Sequence, residues 1–204
     1  MGSVLNSDFK GLVERSRSYR RFDESERVGE DFLIGLVDLA RICPNAANRQ
    51  RLRFKVVAEA AECSTVFDSL AWAGALKDWS GPDEGERPTG YVVIAAERSA
   101  MGRPANPMTE MDAGIAAQTM MLAARSAEPS VGARMFKSFK PSLADALGID
   151  TDRYELKLVM AFGVPAEEVR LEPLASSPDG STNYWRDAAS VHHVPKRPLE
   201  DVLM

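Results

Sequence analysis

In the stretch VERSRSYRRFDES, Val13 to Ser25, Arg15, Arg17, Arg20 and Arg21 fall within seven positions, and Ser16 and Ser18 stand among them. Guanidinium groups offer paired donors in a planar fork and a hydroxyl rotates to add another, so this mixture suits the oxygens of a phosphomonoester. Each charge-assisted bond contributes about 1.5–3 kcal/mol, and three or four can anchor a phosphate without a glycine-rich loop. A second basic pair, Lys196 and Arg197 in PKRP, lies at the far end of the chain. Neither a Walker-type nor a dinucleotide fingerprint is present. The competing explanation is a solvated basic patch following a short helix.

Other residue types narrow the chemistry further. The segment PNAANRQ is a polar turn in which Asn45, Asn48 and Gln50 can serve a ligand or simply cap the backbone, as Asn commonly does. No nucleophile elbow, zincin motif or defined carboxylate pair occurs. His192 and His193 are adjacent on an extended segment and so face opposite ways, a poor arrangement for a metal. Asp112 is the one acid within an apolar setting in EMDAGIAAQTMMLAARSA, and its place near the start of that helix reads as capping. Cys43 and Cys63 are too few for a disulfide framework, which points to a reducing compartment.

Charge and length exclude several classes. A net charge of −5 and a pI near 5.2 argue against a nucleic-acid surface, since no basic stripe continues beyond the cluster. A membrane surface is disfavoured because no amphipathic basic helix is attached. The longest apolar stretch, AGIAAQTMMLAA, is interrupted by Gln118 and Thr119 and falls short of the ~20 residues a bilayer needs. The start MGSVLNSDFK has neither a signal-peptide core nor a myristoylation signal, so a cytoplasmic protein is expected. With 204 residues and 45% hydrophobic content, one globular domain over 1–204 can bury a core, with a C-terminal arm from about 180.

The elements that must position these residues alternate between helix and strand. SDFKGLVERSRS predicts a short amphipathic helix through Phe9, Leu12 and Val13, and EDFLIGLVDLARIC a second that stops before Pro44. LRFKVVA and the fully apolar GYVVIAA read as strands, with a helix near Cys63 to Ala75 and an irregular loop DWSGPDEGERPTG between them. EMDAGIAAQTMMLAARSA is apolar on most sides, which marks an enclosed central helix. KPSLADALG is a short helix ending at Gly148, and RYELKLVMAFGVP a closing strand. The tail carries Tyr184, Trp185, Val191, Val194, Leu199, Val202 and Leu203, so it must pack on its own domain or on a partner. Trp72, Trp79, Tyr91, Tyr184 and Trp185 are expected as core or interface anchors rather than site residues.

These residues resemble the FMN-dependent nitroreductase-like flavoproteins through most of the chain. RSYRRFDE is similar to that family's Arg-Ser-x-Arg-x-Phe element and LARICPNAANRQ to its Ala-Arg-x-x-Pro-Ser-x-x-Asn-x-Gln turn. DAGIAAQTMMLAA resembles its central helix, LVMAFGVPAEE its closing strand, and YWRDAASVHHVPKRPLEDVL the tail of one subgroup. Five elements in the right order carry far more weight than any one.

The resemblance implies an α+β fold, a central mixed or antiparallel sheet surrounded by helices, in an intertwined homodimer with FMN at its interface. It makes Arg17, Ser18 and Arg20 phosphate ligands, joined by Arg197 and Lys196, and puts Asn48 at the polar edge of the flavin or its ribityl chain, with Asn45 and Ala46 close by. It also implies transient NADH or NADPH, a small-molecule acceptor such as a nitroaromatic or quinone, and hydride transfer through flavin N5, so the flavin rather than a side chain carries the catalysis. The chain departs from the family pattern in three places. Asn45 stands where Ser is common, and Arg51 where proline often follows the glutamine, which implies a more polar substrate side. In EPSVGARMFKS, Ser130 replaces a glycine, and Lys137 and Ser138 fill the flavin-facing loop. That altered loop keeps open a flavin-binding dimer without turnover, serving as sensor or carrier; a relative acting on an unrelated acceptor is a further alternative, because the acceptor pocket is formed by the regions that vary most with function.

Overall fold

The computed structural model describes residues 6–72 and 79–204. Its main sheet is antiparallel throughout its ladders and runs β2 (Leu52–Val57), β3 (Gly90–Glu97), β5 (Tyr154–Pro165), with β4 (Gly132–Phe136) and the two-residue β1 (Phe22–Asp23) sharing the far edge of β5. β3 and β5 form the middle and are buried on both faces, which is why GYVVIAA shows no polar alternation. Opposite faces of each strand feed two cores. Val92, Ile94, Met160 and Phe162 pack toward one set of helices, while Tyr91, Val93, Val159 and Ala161 pack toward the other.

The first core is closed by α2 (Glu30–Arg41) and α4 (Met108–Ser126). α2 sends Leu33, Leu36 and Ala40 inward, and α4 meets it with Ala113, Ala116, Ala117, Met120 and Ala124. Small residues on α4 let its neighbours, α2, β4 and β5 among them, approach it, as the all-round apolar sequence implies. The second core is closed by α3 (Ala60–Asp68), Trp72, Phe136 and the short α5 (Leu143–Ala146). The helix expected from Cys63 to Ala75 therefore starts three residues earlier and ends at Asp68, after which Leu70 bridges Phe139; positions 73–75 lie outside the described residues. α1 (Ser7–Arg15) begins at Asn6, whose side chain accepts from the N–H groups of Asp8 and Phe9.

Gly163 is required by close packing at the edge, since a Cβ there would come within 2.8 Å of the Phe22 ring. After β5 the chain builds a second sheet, in which β8 (His192–Lys196) lies between β6 (Val169–Pro173), parallel to it, and β7 (Trp185–Arg186), antiparallel. The tail therefore packs on its own chain through Tyr184, Trp185 and Val191, while Leu199, Val202 and Leu203 stay exposed. Among the described residues no helix is long and apolar enough to cross a membrane.

Candidate functional site

The turn that follows α2 has an unusual backbone. Ala47, Asn48 and Gln50 take φ values of +51°, +52° and +48°, a left-handed conformation that non-glycine residues rarely adopt and that costs about 1–3 kcal/mol each. The fold compensates with side-chain bonds. Asp112 Oδ1 on α4 accepts from the Ala46 N–H at 2.9 Å, Asn45 Oδ1 accepts from the Gln50 N–H at 2.9 Å, and the Gln50 amide donates to Asn48 Oδ1 at 3.2 Å. Asp112 is 4% exposed. It is not serving its own helix start, as the sequence suggested, but reaches across to hold the turn. A distance of 66 positions separates it from Ala46, and only an acid in an apolar helix hinted at the role. Beside this turn lies a cavity of about 260 Å³, walled by α2, β2 and α4.

The N-terminal arginine-serine element sits between α1 and β1, tied to the main sheet by a bridge from Ser18 to Ala133. Ser18 is exposed, and Arg17 is half-buried with one bond, Nη2 to the Val13 carbonyl at 2.6 Å. The Arg17 Nε is buried without a partner among the described residues, and burial lowers the guanidinium's pKa from its ordinary value. Both residues thus retain donor capacity for an oxyanion. Arg20 differs. It is 5% exposed, its guanidinium lies 4.1 Å from the centre of the Tyr184 ring, and Nη1 donates to the Ser18 carbonyl at 3.1 Å and to His192 Nε2 at 2.8 Å. Its backbone N–H meets Glu167, which also bonds Arg186 at 2.9 Å. Arg134 belongs to the same group, and desolvation followed by repulsion from Arg20 brings its pKa to about 10.

Other expected site residues are spread more widely. Lys196 and Arg197 stand at the far end of β8 from His192, four residues or roughly 13 Å of strand away from the Arg20 contact. Lys137 pairs with Glu110 at 2.9 Å and is exposed, and this bond is the leading cause of a lowered Glu110 pKa. Glu110 also meets Lys157, a lysine 2% exposed whose second partner is Glu155 at 2.5 Å. Ser138 is exposed, with its carbonyl accepting from the Ala71 N–H at 3.2 Å. His192 is wholly buried, and His193 stacks on Trp185 on the opposite side of the strand and bonds Glu172 and Asp187.

The arrangement fits a phosphorylated, planar cofactor in its donor set: free guanidinium and hydroxyl groups in one place, amide groups on a rigid turn in another. The model of the Nitroreductase family matches residues 13–164. No curated protein matches the chain. Among solved structures, a Desulfovibrio desulfuricans protein described as a nitroreductase in complex with FMN is 22% identical, covers 98% of this chain and 97% of its own, and superposes with a TM-score of 0.66. An enone reductase of a gut-bacterial fatty acid saturation metabolism is 19% identical over 81% of this chain and 92% of its own, with a TM-score of 0.63. An FMN-dependent nitroreductase from Clostridium difficile is 18% identical over 83% and 94%, again with a TM-score of 0.63. At these identities the likeness is one of fold.

Proposed function

Since the chain belongs to the nitroreductase family, we propose that it is an FMN-dependent oxidoreductase that couples oxidation of NADH or NADPH to reduction of a small acceptor, such as a nitroaromatic or a quinone, in a homodimer. The observation that carries this reading is the strained Asn45–Gln50 turn, pinned by Asp112 beside a cavity. Such strain persists where the surroundings over-determine it, and it clusters at functional sites.

In this reading Arg17 and Ser18 hold the phosphate directly. Arg20 acts from behind, fixing the Ser18 carbonyl and the Tyr184–His192 segment that backs the site. The second half of the clamp, Lys196 and Arg197, is supplied across the homodimer interface, since these residues lie at and beyond the end of β8 opposite the His192 contact to Arg20. Asn45, Ala46 and Asn48 meet the polar edge of the ring, and Lys137 and Ser138 border it from the loop after β4, where Glu110 already tempers the Lys137 charge. When bound, FMN supplies the hydride and electron chemistry through its N5. The protein's own contribution is to hold phosphate and ring in register and to shape the acceptor cavity.

The test is direct. Anaerobic mixing of the FMN-loaded protein with NADH or NADPH is expected to bleach the flavin absorbance, and reoxidation should follow on adding a nitroaromatic or quinone. Undiminished yellow colour with both nucleotides would refute turnover and favour a flavin carrier or sensor.

A further inference from the structure

The cavity beside the turn has an apolar floor made by Val37, Ala40, Leu52 and Phe54, with three arginines at its walls, Arg41, Arg51 and Arg53. Two of these are already neutralised. Arg41 Nε meets Asp38 at 2.6 Å, and Arg53 meets Glu97 at 2.6 Å while also donating to the carbonyls of Gln50 and Leu52. Arg51 is half-buried, and its guanidinium has no hydrogen bond or ion pair among the described residues. Asp112 is the cavity's carboxylate, and its Oδ1 is committed to the Ala46 N–H. A partly desolvated cation with five donors and no acceptor, set over an apolar floor, is complementary to a molecule that is apolar at one end and anionic at the other.

We infer that Arg51 is a specificity residue, and that this cavity takes an apolar acceptor bearing a carboxylate, with the carboxylate on Arg51 and the hydrocarbon on the floor. The size agrees with that class. A groove of about 260 Å³ has room for a small ligand such as a one-ring aromatic acid. Arg51 follows Gln50 in the strained turn, so the same Asp112 anchor that sets the turn also sets the start of the arginine. This assignment rests on the flavin reading only for the acceptor role; the binding preference itself does not require flavin.

Isothermal titration with benzoate and benzamide, matched in ring and different in charge, tests it on the purified protein and on Arg51→Gln. Benzoate is expected to bind about tenfold more tightly than benzamide, the scale of one charge-assisted bond. Arg51→Gln should abolish the difference and leave benzamide unchanged, and Arg51→Lys should restore part of it. A benzoate preference that survives Arg51→Gln, or none in the unaltered protein, overturns the inference. The variant's thermal midpoint checks its fold, since the Arg51 guanidinium has no partner among the described residues to lose. Flavin content is read separately by absorbance. A colourless protein that keeps an Arg51-dependent preference sinks the flavin reading and keeps this one, whereas a yellow, active protein without the preference does the reverse. In an active protein, Arg51→Gln should raise KM for 4-nitrobenzoate about tenfold relative to 4-nitrobenzamide, with kcat little changed.

Discussion

Arg20 and His192 are 172 positions apart and meet inside the protein, Nη1 to Nε2 at 2.8 Å. A guanidinium only donates, so Nε2 must accept, and the imidazole proton is left on Nδ1, which is buried without a partner among the described residues. The ring is held neutral. Burial first, then the positive charges of Arg20, Arg186 and Arg134, bring the His192 pKa down to about 3.

A folded pKa below the unfolded one gives a stability contribution that is full above about pH 6.5 and is lost as the pH falls toward 3. Urea unfolding should therefore show stability declining below pH 6.5, by up to about 1.4 kcal/mol per pH unit from this group. His193 acts in the opposite direction, because its bond to Glu172 raises its pKa, so its contribution is present at low pH and lost as the pH rises through the raised value. In His192→Gln the acid-side decline should be shallower. An unchanged profile would show that His192 does not govern it.

Arg17 and Arg20, three positions apart, should separate cleanly on mutation. Arg17→Ala loses one carbonyl bond of a half-buried side chain and should lower FMN retention with a small change in stability, within about 1 kcal/mol. The double variant with Arg197→Ala should purify without flavin while remaining folded by circular dichroism. Arg20→Ala removes the contacts to Tyr184, His192 and Ser18 and should cost about 2–3 kcal/mol in urea unfolding, with earlier proteolysis of the tail.

Asp112→Ala is expected to release the Asn45–Gln50 turn. The lost bond to the Ala46 N–H is charge-assisted, so stability should fall by about 1.5–3 kcal/mol, and flavin affinity should fall with it. Asp112→Asn keeps an acceptor and should be milder in both measurements. Equal flavin affinity in all three proteins would remove the turn from the site.

Gly163→Ala inserts a Cβ within 2.8 Å of the Phe22 ring, at the junction of β1 and β5. Overpacking of this kind costs about 1–3 kcal/mol, read as a lowered urea midpoint with an unchanged m-value.

Light scattering is expected to report a dimer. Leu199, Val202 and Leu203 are exposed on the single chain, and Ile34 and Leu39 on α2 are exposed as well, which leaves apolar surface for a second subunit to cover. A monomer in solution would remove the composite phosphate clamp.

What the sequence determined by itself was the set of elements and the membership they spell out. Periodicity is local, so α2, α4, β3 and β5 could be read from apolar spacing, and the RSYRRF and PNAANRQ motifs stood in the order their family requires. The resemblance those motifs carry implied a mixed or antiparallel central sheet, and the main sheet's ladders are antiparallel. What only the tertiary structure decided was direction. Arg17 and Arg20 are the same residue type in one motif, yet one keeps free donors and the other turns inward, because His192 and Tyr184 arrive beside Arg20 from the far end of the chain. Asp112 looked like a helix-start acid because its partner, a backbone N–H 66 positions away, leaves no trace in spacing. Long-range side-chain contacts depend on how elements pack, and packing brings together residues whose separation in the chain carries no period to read.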